Sequence, residues 1–129
     1  MSGYAGPHRV AKGVMDDLYA QALAIQDGYG SRALLLRIDV CVMHDSTVTR
    51  ICDLIKKRTG LMRRQILVNI SHTHSGPAVD ELHHYPMSTE DRAKLAAYTE
   101  RLKSLCADAA VEAVEDLKPA VLDFGLGEA

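Results

Sequence analysis

A chain of 129 residues, 47% of them apolar and 25% charged, has the composition of one folded domain rather than a disordered segment, and at this size roughly two-thirds of the unfolded surface can be buried. The formal net charge of −2 gives no general attraction for nucleic acid or an anionic membrane, and no stretch reaches the roughly 18 to 20 uninterrupted apolar residues of a membrane helix. Cys41, Cys52 and Cys106 make an odd count without CxxC spacing, so they are expected as buried small hydrophobes in a reduced protein. The N-terminus shows neither a basic n-region nor an apolar h-region, and no compartment is legible.

The first residues, rich in Gly and carrying Pro7 and His8, predict an irregular entry segment. Residues 20–26 alternate weakly, meet the turn signal Asp27-Gly28-Tyr29-Gly30, and are followed by the apolar run 32–39. Together they predict a hairpin of two strands with Asp39 at the end of the second. Beyond a loop holding Cys41, Met43 and His44, either Asp45 or Ser46 can cap a helix whose apolar positions Val48, Ile51, Cys52 and Ile55 fall on one face. Lys56, Lys57 and Arg58 crowd its last turn and Gly60 stops it.

A short apolar strand over 65–71 comes next and ends abruptly at Gly76-Pro77. It leads into a loop of about sixteen residues carrying His72, His74, Asp80, Glu81, His83, His84 and Pro86, a length that usually serves binding or covering. Ser88 and Asp91 resemble a capping box for a long helix to about Leu117, with a stripe at Leu95, Tyr98, Leu102, Leu105, Ala109, Ala113 and Leu117. Pro119 closes it, and residues 120–125 predict a final strand. The order strand, strand, helix, strand, helix, strand favours an α/β fold: a mixed sheet flanked by helices, in one domain over 1–129 that belongs to something larger.

The chemistry concentrates at His72-Thr73-His74. Side chains at i and i+2 of a strand share a face, about 7 Å apart, and strand ends are where α/β sheets bind ligands. The pair therefore suits a metal or a polarised substrate, although a catalytic zinc takes three protein ligands and the pair offers two. Asp80, Glu81, His83 or His84 could complete a self-contained site, or form a solvated polar loop. Asp39 could orient an imidazole or cap a neighbouring turn. His44 reads as a loop residue. Ser75 lacks a nucleophile elbow, and no cysteine lies near the pair in sequence. The basic stretch Lys56, Lys57, Arg58, Arg63, Arg64 lacks the interleaved aromatics of a nucleic-acid surface.

The run Asn69-Ile70-Ser71-His72-Thr73-His74-Ser75-Gly76-Pro77 resembles the zinc-binding signature of neutral/alkaline non-lysosomal ceramidases, an apolar strand followed by T-H-T-H-S-G-P. Met1-Ser2-Gly3-Tyr4-Ala5 resembles that family's early M-x-G-Y segment, Leu18-Tyr19-Ala20-Gln21-Ala22-Leu23 its R-A-R-A-F strand, Ile38-Asp39 its strand end, and Phe124-Gly125-Leu126-Gly127-Glu128 the strand before its N-R segment. The resemblance implies an N-terminal α/β catalytic domain, with zinc as cofactor and a lipid-like amide, ceramide or an analogue, as substrate. It implies His72 as the zinc ligand and His74 as a neighbouring catalytic histidine. The family's remaining ligands, a later His, a Glu and a Tyr, lie downstream, so an N-terminal fragment inactive alone is expected. Ala78-Val79 stand where glycines often follow the Pro, implying a differently shaped loop. The alternative is a non-catalytic domain that binds a lipid or protein partner through loop 72–87.

Overall fold

The computed structural model describes residues 1–3, 11–80 and 87–127. Strand β1 (Ala20–Gln26) pairs antiparallel with β2 (Arg32–Ile38) in the register Ala20↔Ile38 to Gln26↔Arg32. The loop between them closes on Asp27, whose Oδ1 accepts the amides of Tyr29 and Ser31 at 2.9 and 2.8 Å, with Gly30 at φ 84°. These bonds stabilise the ionised carboxylate, the Ser31 amide most, and hold its pKa below the ordinary value. The predicted hairpin is therefore formed, and its turn chemistry is local.

Helix α1 (Asp45–Thr59) carries the chain from β2 to β3 (Ile66–Ile70), which pairs parallel with β2 from Leu34↔Ile66 to Ile38↔Ile70. A short 3-10 turn over Arg63–Gln65 occupies the expected start of that strand. The sheet order is β1-β2-β3, mixed, with helix α2 (Thr89–Glu115) following. This is the expected α/β arrangement.

One apolar layer holds it together. Alternate residues of β2, Leu34, Leu36 and Ile38, are buried with Ile51, Cys52 and Ile55 of α1 and Leu102, Cys106, Ala107 and Ala110 of α2. The α1 stripe falls where its period predicts, and Gly60 (φ 76°) ends the helix with its amide on the Lys56 carbonyl. On α2 the stripe is rotated: Leu105, expected inside, is 47% exposed, while Cys106 is fully buried. Small side chains at 106, 107 and 110 meet the small residues Ala20, Ala22 and Ala24 on the inner face of β1, so close approach of helix to strand decides the rotation. Ser88 caps α2 as expected, accepting the Asp91 amide at 3.0 Å.

The final strand is a correction. Among the described residues 118–127 no strand forms, and Val121, Leu122, Phe124 and Leu126 are all more than 80% exposed. Strand chemistry yields a strand only where a sheet edge receives it, and neither edge of β1-β2-β3 does.

Candidate metal centre

Because β2 and β3 run parallel, their C-terminal ends emerge side by side, and the site is built from the residues just beyond those ends. The ladder continues past the strands: the Ser71 amide donates to the Ile38 carbonyl at 3.1 Å and the Thr73 amide to the Val40 carbonyl at 3.2 Å. This brings Asp39, Val40 and Cys41 alongside Ser71, His72 and Thr73.

Asp39 is the knot beneath the site. Its Oδ2 accepts the Tyr19 amide at 3.1 Å, and its Oδ1 accepts the Ser71 hydroxyl at 2.8 Å and pairs with Arg37 at 2.8 Å. Ser71 Oγ lies 2.6 Å from Thr73 Oγ1. The Ser71 hydroxyl first, then the Tyr19 amide and Arg37, hold the Asp39 carboxyl below its ordinary range against the opposing effect of burial. The carboxylate ties strand ends together, a role outside the two expected of it. The group that orients an imidazole is the Cys41 carbonyl, 2.8 Å from His72 Nδ1.

The two histidines do come together, by a route other than strand alternation. Strand β3 ends at Ile70, and His72 sits at φ 56°, a left-handed conformation uncommon for residues with a side chain. Ser75 (φ 66°) and Asp80 (φ 63°) share it. The kink leaves the His72 and His74 ring centroids 4.9 Å apart, edge to face at 65°, closer than two strand rises would place them. Both side chains are exposed.

Cys41 is the neighbour that sequence distance concealed. Its Sγ lies 3.8 Å from His72 Nδ1 although 31 residues separate them. Cys41, His72 and His74 each offer a ligand atom within 4.8 Å of the others, making a group able to hold a metal ion. The parallel register was the available signal, since Ile38↔Ile70 extended by three residues sets Cys41 beside Thr73. Burial of all three cysteines is as expected. Cys106, enclosed in the core, has its thiol pushed up to about 12 by burial, which removes it from thiolate chemistry.

The other candidates separate from the pair. Asp80 caps α1 from a distance: Oδ2 accepts the His44 amide at 3.0 Å, Oδ1 accepts the Thr47 hydroxyl at 2.7 Å, and its own amide donates to Thr99 Oγ1 at 3.3 Å. Neither Asp45 nor Ser46 caps that helix; His44 occupies the N-cap position without a side-chain bond of its own. Val79, 2% exposed, plugs the loop into the core. His8, Glu81, His83 and His84 lie outside the described residues.

Sequence reasoning also missed the N-terminal contribution, which carries no local signal. The Ser2 amide donates to the Gly76 carbonyl at 2.9 Å and the Ser75 amide to the Ser2 carbonyl at 3.0 Å, so residues 1–3 run along the loop beside His74.

A mixed α/β sheet with two imidazoles and a thiol at the C-terminal ends of its parallel strands defines a metal-competent site. The chain belongs to a known family: residues 1–129 match "Neutral/alkaline non-lysosomal ceramidase, N-terminal". It is 30% identical over 79 residues to "Neutral ceramidase 2" of Arabidopsis thaliana, covering 60% of this chain and 10% of that protein. The same identity holds over 81 residues with "Neutral ceramidase B" of Dictyostelium discoideum, covering 60% of this chain and 11% of that protein. The chain thus spans about a tenth of the length of the curated relatives it matches. No solved structure matches it.

Proposed function

We propose that this chain contributes the His-Thr-His part of the zinc site of a hydrolase that cleaves a lipid-like amide, ceramide or an analogue, to a long-chain base and a fatty acid. The observation that supports it best is the joined His72–His74 pair, in a chain of the ceramidase family.

The donor set fits zinc, which takes imidazole and thiolate ligands. With Nδ1 of His72 donating to the Cys41 carbonyl, the lone pair left for a metal is on Nε2, an arrangement in which the backbone carbonyl fixes the tautomer and orients the ring. When bound, zinc supplies Lewis acidity toward an amide carbonyl and a more acidic water. His72 holds the ion. His74 donates a hydrogen bond to the oxygen on which charge develops, or passes a proton to the leaving amine.

With His74 in the proton-handling role and Cys41 Sγ beside Nδ1 rather than Nε2 of His72, His72 is the ligand this reading takes from the group among the described residues, short of the three protein ligands of a catalytic zinc. The rest of the set comes from elsewhere in the whole protein, and the 129 residues alone are inactive on ceramide. Metal analysis and titration calorimetry of the isolated chain test this. Weak zinc binding, abolished in His72→Ala, is expected together with no ceramide turnover. In the whole protein His74→Ala is expected to lose about 10²- to 10⁴-fold in kcat, the usual worth of a positioned acid or base, with zinc retained. Tight one-to-one zinc on the isolated chain would favour a self-contained site. A whole protein without ceramide hydrolysis would sink the reading in favour of a binding domain.

A further inference from the structure

Gly3 sits at φ 96° with its Cα against the face of the loop that carries His74. A Cβ built there would lie 2.5 Å from His74 Cγ, 2.7 Å from Cδ2 and 2.9 Å from Nδ1, all shorter than atoms in contact can be. The position of Cγ matters most. It lies on the axis about which the ring spins, so rotation about the Cβ–Cγ bond cannot relieve the contact. Only a change about Cα–Cβ would, and it would swing the imidazole away from its 4.9 Å contact with His72. The backbone cannot easily retreat either, because Ser2 is bonded to the loop on both its amide and its carbonyl and is buried.

We propose that Gly3 is a positioning residue: residues 1–3 form a strap along the loop, and the absence of a side chain at Gly3 lets the His74 imidazole lie where it meets His72. The catalytic consequence rests on the proton-handling role proposed for His74; the positioning itself does not.

The test is NMR on the full 129-residue chain with labelled histidines. Wild type is expected to show a nuclear Overhauser contact between the Gly3 Hα protons and the His74 ring, and one between the two histidine rings. In Gly3→Ala the contact between the rings should be lost and the His74 ring resonances displaced, while the methyl resonances of Leu34 and Ile51 stay in place. Ser2→Ala, which keeps both backbone bonds, should leave His74 unmoved. Retention of the ring-to-ring contact in Gly3→Ala would overturn the inference, as would an equal displacement in Ser2→Ala. Should Gly3→Ala unfold, it is compared in a His74→Ala background, where the obstructing ring is gone. A smaller loss of melting temperature there supports the positioning role, and an equal loss overturns it. In the whole protein, Gly3→Ala should lower kcat with KM unchanged. If ceramide hydrolysis is absent from the wild-type protein, the functional reading fails while the resonance test still decides the role of Gly3.

Discussion

Leu34, Leu36 and Ile38 lie on the same strand that leads into Asp39 and Cys41, but the two groups are held by different physics. The leucines and isoleucine are buried through periodicity: alternate residues of β2 face α1 and α2 and lose their contact with water. The residues just beyond the strand ends are held by directed bonds. Asp39 takes the Tyr19 amide, the Ser71 hydroxyl and Arg37, and Asp80 takes the His44 amide and the Thr47 hydroxyl. Loop 71–80 carries three side-chain-bearing residues at positive φ, a conformation that costs roughly 1–3 kcal/mol each and persists where the surroundings over-determine it. The scaffold is thus a nonspecific solution to burial, while the site is a specific set of partners drawn from separate segments of chain.

That contrast can be broken from the scaffold side first. Ile51→Ala removes a fully buried side chain and is expected to cost about 2–5 kcal/mol, read as a lowered midpoint in urea. If the packing and the site are separately held, the His72–His74 ring contact persists in the fraction that remains folded.

A smaller effect comes from the knot. Asp39→Asn loses the charge-assisted bonds and should cost roughly 1–3 kcal/mol, while also loosening Ser71 and with it the entry to His72. Its pH dependence sharpens the comparison. The folded carboxyl is more acidic than the free one, so its stabilisation is fully present above the unfolded value of about 3.9 and is lost as pH falls through the lower folded value. Wild type should therefore lose stability over that acidic window more steeply than Asp39→Asn. Parallel stability curves of the two proteins across about pH 2–5 would contradict this.

The mildest break is Asp80→Ala, which removes the cap that loop 71–80 supplies to α1. By analogy with a lost N-cap it should cost about 0.5–2 kcal/mol, and amide exchange should quicken first in the opening turn of α1. Unchanged exchange there would show that the loop does not hold the helix.

Much of the scaffold is legible locally. The hairpin turn at Asp27, the α1 stripe with its Gly60 stop, and the Ser88 cap of α2 each depend on residues within a few positions of one another. Errors arise where a distant partner decides. Leu105 yields to Cys106 because the alanines of β1 admit a close helix, and residues 120–125 have strand chemistry but pair with neither edge of the sheet.

At the site, the amino-acid order was enough to place His72 and His74 just beyond the end of a strand that buries one face, because an apolar run followed closely by Gly76-Pro77 marks a strand and its exit. How they meet was set by contacts between distant segments. The left-handed turn at His72, the Cys41 carbonyl that holds its ring, and the Gly3 strap against His74 come from segments brought together by the parallel pairing of β2 with β3 and by the bonds of Ser2 to the loop. Such contacts are set by chain crossings rather than by neighbouring residues, and no local pattern encodes them.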